Sequence, residues 1–163
     1  MTPKTEAIMT RVDAISYWGG FVLPRELEKI KKRVSLVGEP QKAMHMTLRY
    51  FGHGSKRNPD RLKHLRPEFF GKDFEVVVDG IGTYSVDGVV KNQGLRISRK
   101  QMELVRFHDG TTLLEMCAND VPHVTLCVAN GGKAVDTAKC DFVDCEPFEV
   151  TLRLGAWAGY ELY

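Results

Sequence analysis

The chain has 163 residues, of which 43% are hydrophobic, and this is enough to fill the core of one domain of ordinary size. Lysine and arginine total 23 against 21 aspartates and glutamates, so the net charge of +2 excludes a protein that coats polyanions through bulk charge. No stretch is apolar over the ~20 residues of a membrane span, and residues 1–12 lack the apolar segment of a secretory signal.

The periodicity of apolar residues predicts an α+β fold, with a polar, loose tail at residues 1–12 and a single domain at residues 13–163. Strands are predicted over residues 15–23, 43–51, 74–81, 94–98, 112–117, 121–129, 148–154 and 157–163. Helices are predicted to begin at Pro24, near Asn58 and at Ala134. Gly19 and Gly20 indicate a bulge or a close backbone approach in the first strand. We expect antiparallel sheet curved around a central groove, with the helices outside.

One four-residue pattern, His-x-Thr-Leu, occurs twice, beginning at His45 and at His123. In a strand, side chains two residues apart point to the same face, so His45 shares a face with Thr47, and His123 shares a face with Thr125. A single histidine in an apolar run is more often a core residue, but two core histidines have no reason to repeat the threonine at the same offset. If the two strands are neighbours, two imidazoles and two hydroxyls converge on one spot.

Four such groups suit a phosphate diester. Its hydrolysis needs a base that activates water and an acid that protonates the leaving oxygen. Histidine can serve as either near neutral pH, because its unperturbed pKa is about 6.5, so His45 and His123 can form an acid–base pair. The hydroxyls of Thr47 and Thr125 would bind non-bridging oxygens and stabilise the charge of the transition state. This chemistry requires no metal or other cofactor, and the four cysteines have no zinc-ligand spacing.

The paired motifs resemble those of the 2H phosphoesterase superfamily, and most closely the phosphodiesterase domains of the 2′,3′-cyclic-nucleotide 3′-phosphodiesterase type. Residues 17–21 resemble the opening Tyr-Phe-Gly-x-Phe strand of that family, and residues 45–50 resemble its first motif. Residues 123–137 resemble the second motif and the loop after it, and the separation of the two motifs is also similar. The resemblance spans about residues 17–140 and implies two lobes of antiparallel sheet around a central groove, each lobe contributing one motif.

The resemblance also implies further substrate contacts. Tyr17 matches a tyrosine that lines the active site, and Tyr50 matches an aromatic residue on which a nucleobase can stack. Ala134 and Val135 lie in a loop whose backbone amides help to bind phosphate. The alternative is that both tyrosines are core aromatics and the loop is a plain turn. Simple alternation places Tyr50 on the face opposite His45, so a bulge or strand end beyond the motif is needed to bring it into the site.

One position departs from the family pattern. The vertebrate enzymes have an arginine two residues before the second histidine, where this chain has Val121. The contact is then either missing or supplied by another basic residue, such as Arg49, Arg96 or Lys133.

From the resemblance we expect hydrolysis of the 2′,3′-cyclic phosphates of nucleotides or RNA ends, with water displacing O3′ and a 2′-phosphate remaining. His123 would be the base and His45 the acid, whereas the reverse assignment would leave a 3′-phosphate. The alternatives are another activity of the superfamily, on 2′,5′-oligoadenylate, tRNA-splicing intermediates or cyclic-nucleotide signals, and a module that binds RNA ends without hydrolysis. We expect a cytoplasmic monomer with reduced cysteines and no membrane anchor in this chain.

Overall fold

The computed structural model describes residues 2–53 and 58–163. The strands are β1 (Tyr17–Val22), β2 (His45–Tyr50), β3 (Asp73–Val86), β4 (Val89–Ile97), β5 (His123–Val128), β6 (Asp141–Trp157) and β7 (Glu161–Leu162). The α-helices are α1 (Pro3–Met9), α2 (Glu26–Arg33), α3 (Asp60–His64), α4 (Arg99–Met102) and α5 (Leu113–Met116). Short 3-10 helices cover Val12–Ala14, Pro67–Phe69 and Ala134–Lys139.

The sheet is antiparallel throughout and closes on itself. Its neighbours run β1-β2-β5-β4-β3-β6, and β6 pairs again with β1, while β7 extends β6 as a short hairpin. The predicted α+β class and the antiparallel pairing are therefore confirmed. Within the described residues, no helix combines the length and apolar character needed to cross a membrane.

The two faces of the sheet differ in chemistry. One face is apolar and fully buried, and in the central strands it is formed by Met46, Leu48, Val124, Leu126 and Leu95. The other face carries the motif histidines and threonines, which are partly exposed. This division follows from strand alternation, because the residues between the polar positions of each motif are apolar and pack into the core.

Glycines allow other parts of the chain to approach the polar face closely. Gly19 of β1 pairs with Thr47, and a Cβ at Gly19 would meet the carbonyl oxygen of Met46 at 2.1 Å. Gly82 and Gly94 pair with each other across β3 and β4, and a Cβ at Gly94 would lie 2.5 Å from Cγ2 of Thr137. The 3-10 helix Ala134–Lys139 can therefore lie directly on the sheet beside the second motif.

The structure corrects the predicted tail at residues 1–12, of which Met1 lies outside the described residues. Pro3–Met9 forms α1, capped by the side chain of Thr2, which accepts a hydrogen bond from the amide of Thr5. The helix is not loose, because Ile8 is buried in the core and the Lys4 ammonium donates to the carbonyl of Phe70 at 2.5 Å.

The predicted strand at residues 112–117 is also wrong. Thr112 and Glu115 form a capping box, in which each side chain accepts from the backbone N–H of the other residue, and this starts helix α5. The neighbouring helix α4 begins in the same way, with the Ser98 hydroxyl accepting from the amide of Gln101. The predicted strand at residues 157–163 is reduced to the two residues of β7, which turn back on the end of β6. The remaining predicted strands are present, although β3, β4 and β6 are longer than predicted.

Candidate functional site

The two His-x-Thr-Leu motifs lie on adjacent antiparallel strands. Met46 of β2 is paired with Val124 of β5. Because the strands are antiparallel, the residues on either side of this pair are also opposed, His45 to Thr125 and Thr47 to His123. These four residues lie on the polar face, where directly opposed residues have Cβ atoms ~5 Å apart. The repeated sequence becomes a local two-fold arrangement, with a histidine and a threonine from each strand around one centre.

Both histidines are held in the same tautomer. Nδ1 of His45 lies 2.8 Å from the carbonyl oxygen of Ala43, and Nδ1 of His123 lies 2.8 Å from that of Val121. A carbonyl only accepts, so Nδ1 carries the proton in each ring and Nε2 is left as the reactive nitrogen. Each Nε2 can accept a proton when the ring is neutral and donate one when it is charged. The arrangement thus supplies two equivalent groups for proton transfer.

The environment of His45 favours the neutral ring. The Tyr17 ring stacks on His45 with centroids 4.4 Å apart, and the buried Phe21 ring lies 5.7 Å away on a tilted plane. Burial, chiefly, and then the nearby charge of His123 lower the pKa of His45, against a hydrogen bond to Ala43 that raises it. Tyr17 also places its hydroxyl 3.4 Å from Nδ1 of His45, and burial raises the pKa of this phenol.

The two threonines have different surroundings. The Thr47 backbone is fixed by Asn119, whose side-chain amide donates to the Thr47 carbonyl at 2.8 Å, and the Thr47 hydroxyl has no partner within the described part of the chain. The Thr125 hydroxyl instead donates to the hydroxyl of Thr137 at 2.8 Å. Thr137 is fully buried and also accepts from the Asn92 side chain at 3.1 Å.

A strand irregularity brings Tyr50 towards the site. The register of β1 and β2 shifts so that Gly19 pairs with Thr47, whereas Trp18 pairs with Arg49, and Tyr17 then pairs with Tyr50. Since paired residues share a face, this bulge sets Tyr50 on the side of Tyr17. The structure thus meets the condition for Tyr50 to reach the site, and Tyr50 is 67% exposed and open to stacking.

In the segment after the second motif, the contact with the motif is made by Thr137. Ala134 and Val135 open the 3-10 helix, and the Val135 side chain is exposed and points into a neighbouring cavity. Thr137, one turn further along the helix, makes the contact with Thr125. The sequence offers no spacing signal for this role, because Thr137 reaches the motif only through the fold.

Position 121 is a valine where the family has an arginine, and the three basic residues that could replace that arginine have different surroundings. Arg96 pairs with His123 across β4 and β5 and therefore lies on the same face, but its guanidinium donates to Asp79 at 2.7 Å and to Asp144 at 2.6 Å. Arg49 is on the bulged end of β2, and Lys133 precedes the 3-10 helix with an exposed side chain.

Within residues 2–53 and 58–163, no three His, Cys, Asp or Glu side chains are grouped so that they could hold a metal ion. No protein-family model matches the chain, and no curated protein is significantly similar to it.

Proposed function

We propose that the chain is a 2H phosphoesterase that hydrolyses 2′,3′-cyclic phosphates of nucleotides or RNA ends without a metal. The observation that carries the proposal is the pairing of β2 with β5, which brings two His-x-Thr motifs to one face. The matched Nδ1 hydrogen bonds of His45 and His123 add to it, since they leave both Nε2 atoms available for proton transfer.

The proposed fold follows from the same argument. In a two-lobed arrangement, β2 and β5 are the strands at which the lobes meet, and the polar face around them is the central groove. The glycines at positions 19, 82 and 94 allow close approaches around that face, because a Cβ at each would lie within 2.5 Å of a neighbouring atom.

The reaction is a displacement at phosphorus. The base accepts a proton from water on Nε2 while the water oxygen bonds to phosphorus, and the P–O bond to the ribose breaks as the acid donates its proton to the leaving oxygen. Afterwards the base is charged and the acid neutral, so one proton is exchanged with solvent before the next turnover. The hydroxyls of Thr47 and Thr125 donate to non-bridging oxygens. For this the Thr125 hydroxyl turns its hydrogen from Thr137 to the phosphate, while the Thr137 hydroxyl keeps the contact by donating its own hydrogen to the Thr125 oxygen.

The family resemblance favours His123 as base and His45 as acid, which displaces O3′ and leaves a 2′-phosphate. A second candidate reverses the roles and leaves a 3′-phosphate. The lowered pKa of His45 favours it, because a neutral ring is the form that accepts a proton. The two candidates share every residue and differ in the product.

A substrate panel tests the proposed activity. We expect turnover of 2′,3′-cyclic AMP, and no turnover of 3′,5′-cyclic AMP or of 2′,5′-linked adenylate. Faster turnover of either of the last two substrates would instead indicate another activity of the same superfamily. Tight binding of 2′-AMP with no hydrolysis of any substrate would indicate a module that binds RNA ends.

Two threonine variants then test the phosphate contacts. Thr47→Ala and Thr125→Ala should each lower kcat less than removal of either histidine, since each loses one neutral donor to the transition state. A kcat equal to that of the wild type in both variants would show that the threonines do not stabilise the transition state.

A further inference from the structure

A cavity of about 350 Å³ is lined in part by the 3-10 helix Ala134–Lys139, whose Thr137 contacts Thr125 of the second motif. Its lining includes three lysines, Lys91, Lys133 and Lys139, which reach it from β4, from the loop after β5 and from the 3-10 helix. Its volume is within the range of sites that bind small ligands.

The cavity has an excess of positive charge. The Lys139 ammonium is 3.1 Å from the carboxylate of Asp136, which also lines the cavity and neutralises one lysine. Among the described residues, the Lys91 ammonium donates to one backbone carbonyl, that of Asn130, at 2.5 Å, and has no ion pair. Lys133 is exposed and has no ion pair within the described part of the chain. Two cationic groups are therefore available to an anion.

The remaining lining is apolar and aromatic. Tyr84 and Val86 come from β3, and Val135 from the 3-10 helix, with Val135 75% and Val86 41% exposed. The Lys139 ammonium lies 5.6 Å from the centre of the Tyr84 ring. Ammonium groups beside apolar and aromatic surface fit a nucleotide unit, whose phosphate is anionic and whose ribose and base present flat, weakly polar faces.

A short hydrogen-bond chain connects the cavity to the proposed site. The Thr125 hydroxyl contacts Thr137 at 2.8 Å, and Asn92 contacts Thr137 at 3.1 Å. The same Asn92 amide donates at 2.8 Å to the carbonyl of Lys133, which lines the cavity. The cavity and the proposed site are thus linked by hydrogen bonds through Thr137 and Asn92.

We propose that this cavity binds the backbone phosphate and the adjoining nucleotide on the 5′ side of the scissile end, so that the preferred substrate is an RNA strand and not a mononucleotide. The inference rests on the proposed function. Lys91 and Lys133 hold the phosphate, while Tyr84 and Val135 contact the sugar and base. Asp136 opposes the strand's charge and weakens its binding.

The test compares 2′,3′-cyclic AMP with a pentanucleotide that ends in the same adenosine 2′,3′-cyclic phosphate. In the double variant Lys91→Gln/Lys133→Gln, KM for the pentanucleotide should rise roughly fivefold or more at low salt, and KM for 2′,3′-cyclic AMP should not change. Asp136→Asn should change KM for the pentanucleotide in the opposite direction. The matched control is Lys31→Gln/Lys32→Gln on α2, which removes the same charge from exposed positions and should leave both substrates unaffected.

Salt dependence gives a second readout. For the wild-type protein, KM for the pentanucleotide should rise more steeply with salt than KM for the mononucleotide, and the double variant should remove the difference. Equal changes for both substrates, or no change for either, would overturn the inference while leaving the proposed function in place.

If the wild-type protein hydrolyses neither substrate, the proposed function is wrong, and that result alone does not decide whether the cavity binds RNA. Binding of a pentanucleotide with a 3′-terminal 2′-phosphate then decides the cavity's role. Weaker binding in the double variant than in the α2 control supports the cavity, and equal binding rejects it.

Discussion

Thr137 gives the clearest test of how the fold positions the second motif. It is fully buried, and its hydroxyl accepts from Thr125 at 2.8 Å and from Asn92 at 3.1 Å. Thr137→Val keeps the shape and removes both hydrogen bonds. Each neutral hydrogen bond contributes about 1 kcal/mol net, and Asn92 keeps its bond to the Lys133 carbonyl. We expect the free energy of unfolding to fall by about 1–3 kcal/mol.

The matched variant is Thr137→Ser, which keeps the hydroxyl and loses the Cγ2 methyl that packs over Gly94. Loss of that methyl costs about 1 kcal/mol, so the two variants are destabilised to a similar degree. With roughly 2–4 °C per kcal/mol for a chain of this size, both should lower Tm by several degrees.

The activities of the two variants should differ. Without its partner the Thr125 side chain is free to rotate, and a misplaced donor lowers kcat, so Thr137→Val should lose about 10-fold in kcat towards 2′,3′-cyclic AMP. Thr137→Ser should retain kcat near that of the wild type. Urea unfolding and steady-state kinetics at one temperature supply both quantities. Wild-type kcat in Thr137→Val, or an equal loss in Thr137→Ser, would refute a positioning role.

Three further predictions concern the same face of the sheet. His45→Ala and His123→Ala should each lower kcat by at least ~100-fold, because each removes a proposed proton-transfer group. The circular dichroism spectrum should not change, because both side chains are partly exposed. A smaller loss of kcat in either variant would argue against an acid–base pair. Burial lowers the pKa of His45, so as the pH falls the unfolded chain takes up the proton at a higher pH than the folded chain. The free energy of unfolding of the wild type should therefore fall, relative to that of His45→Gln, as the pH drops through about 6.5. A constant difference in urea midpoint between pH 7.5 and 5 would contradict this. Gly94→Ala places a Cβ 2.5 Å from Thr137 and should lower the free energy of unfolding by about 1–3 kcal/mol, because the 3-10 helix must move. A measurement of Tm checks this, and an unchanged Tm would show that the helix can shift without loss of stability.

The shared face of each motif could be predicted because strand alternation is local. His45 and Thr47 need only a strand between them, and so do His123 and Thr125. The pairing of Met46 with Val124 could be stated only as a condition, because no local pattern fixes which strands become neighbours or in which register. The choice of β1 and β6 as the strands that close the sheet has the same origin, and no local pattern indicates it.

Three α-helices were missed, α1, α4 and α5, although each begins at a serine or threonine cap that is present in the chain. Thr112 and Glu115 have the spacing of a capping box, but the apolar residues between them gave a strand pattern that is ambiguous over so short a run. Thr2 followed by Pro3 is a helix start, hidden by the polar composition of the first turns.

The supporting residues of the site had no sequence signal. Asn92 and Thr137 are 45 residues apart and meet because β4 and the 3-10 helix both border the second motif. Their residue types are common in turns and strands, so only the three-dimensional arrangement distinguishes them.

The most direct measurement is hydrolysis of 2′,3′-cyclic AMP in EDTA by the wild-type protein, His45→Ala and His123→Ala, with the product isomer identified by phosphorus NMR. The proposal expects wild-type turnover without metal and loss of turnover in both variants. A 2′-phosphate assigns His123 as the base, and a 3′-phosphate assigns His45. No wild-type turnover, or turnover that persists in either variant, would contradict the two-histidine mechanism.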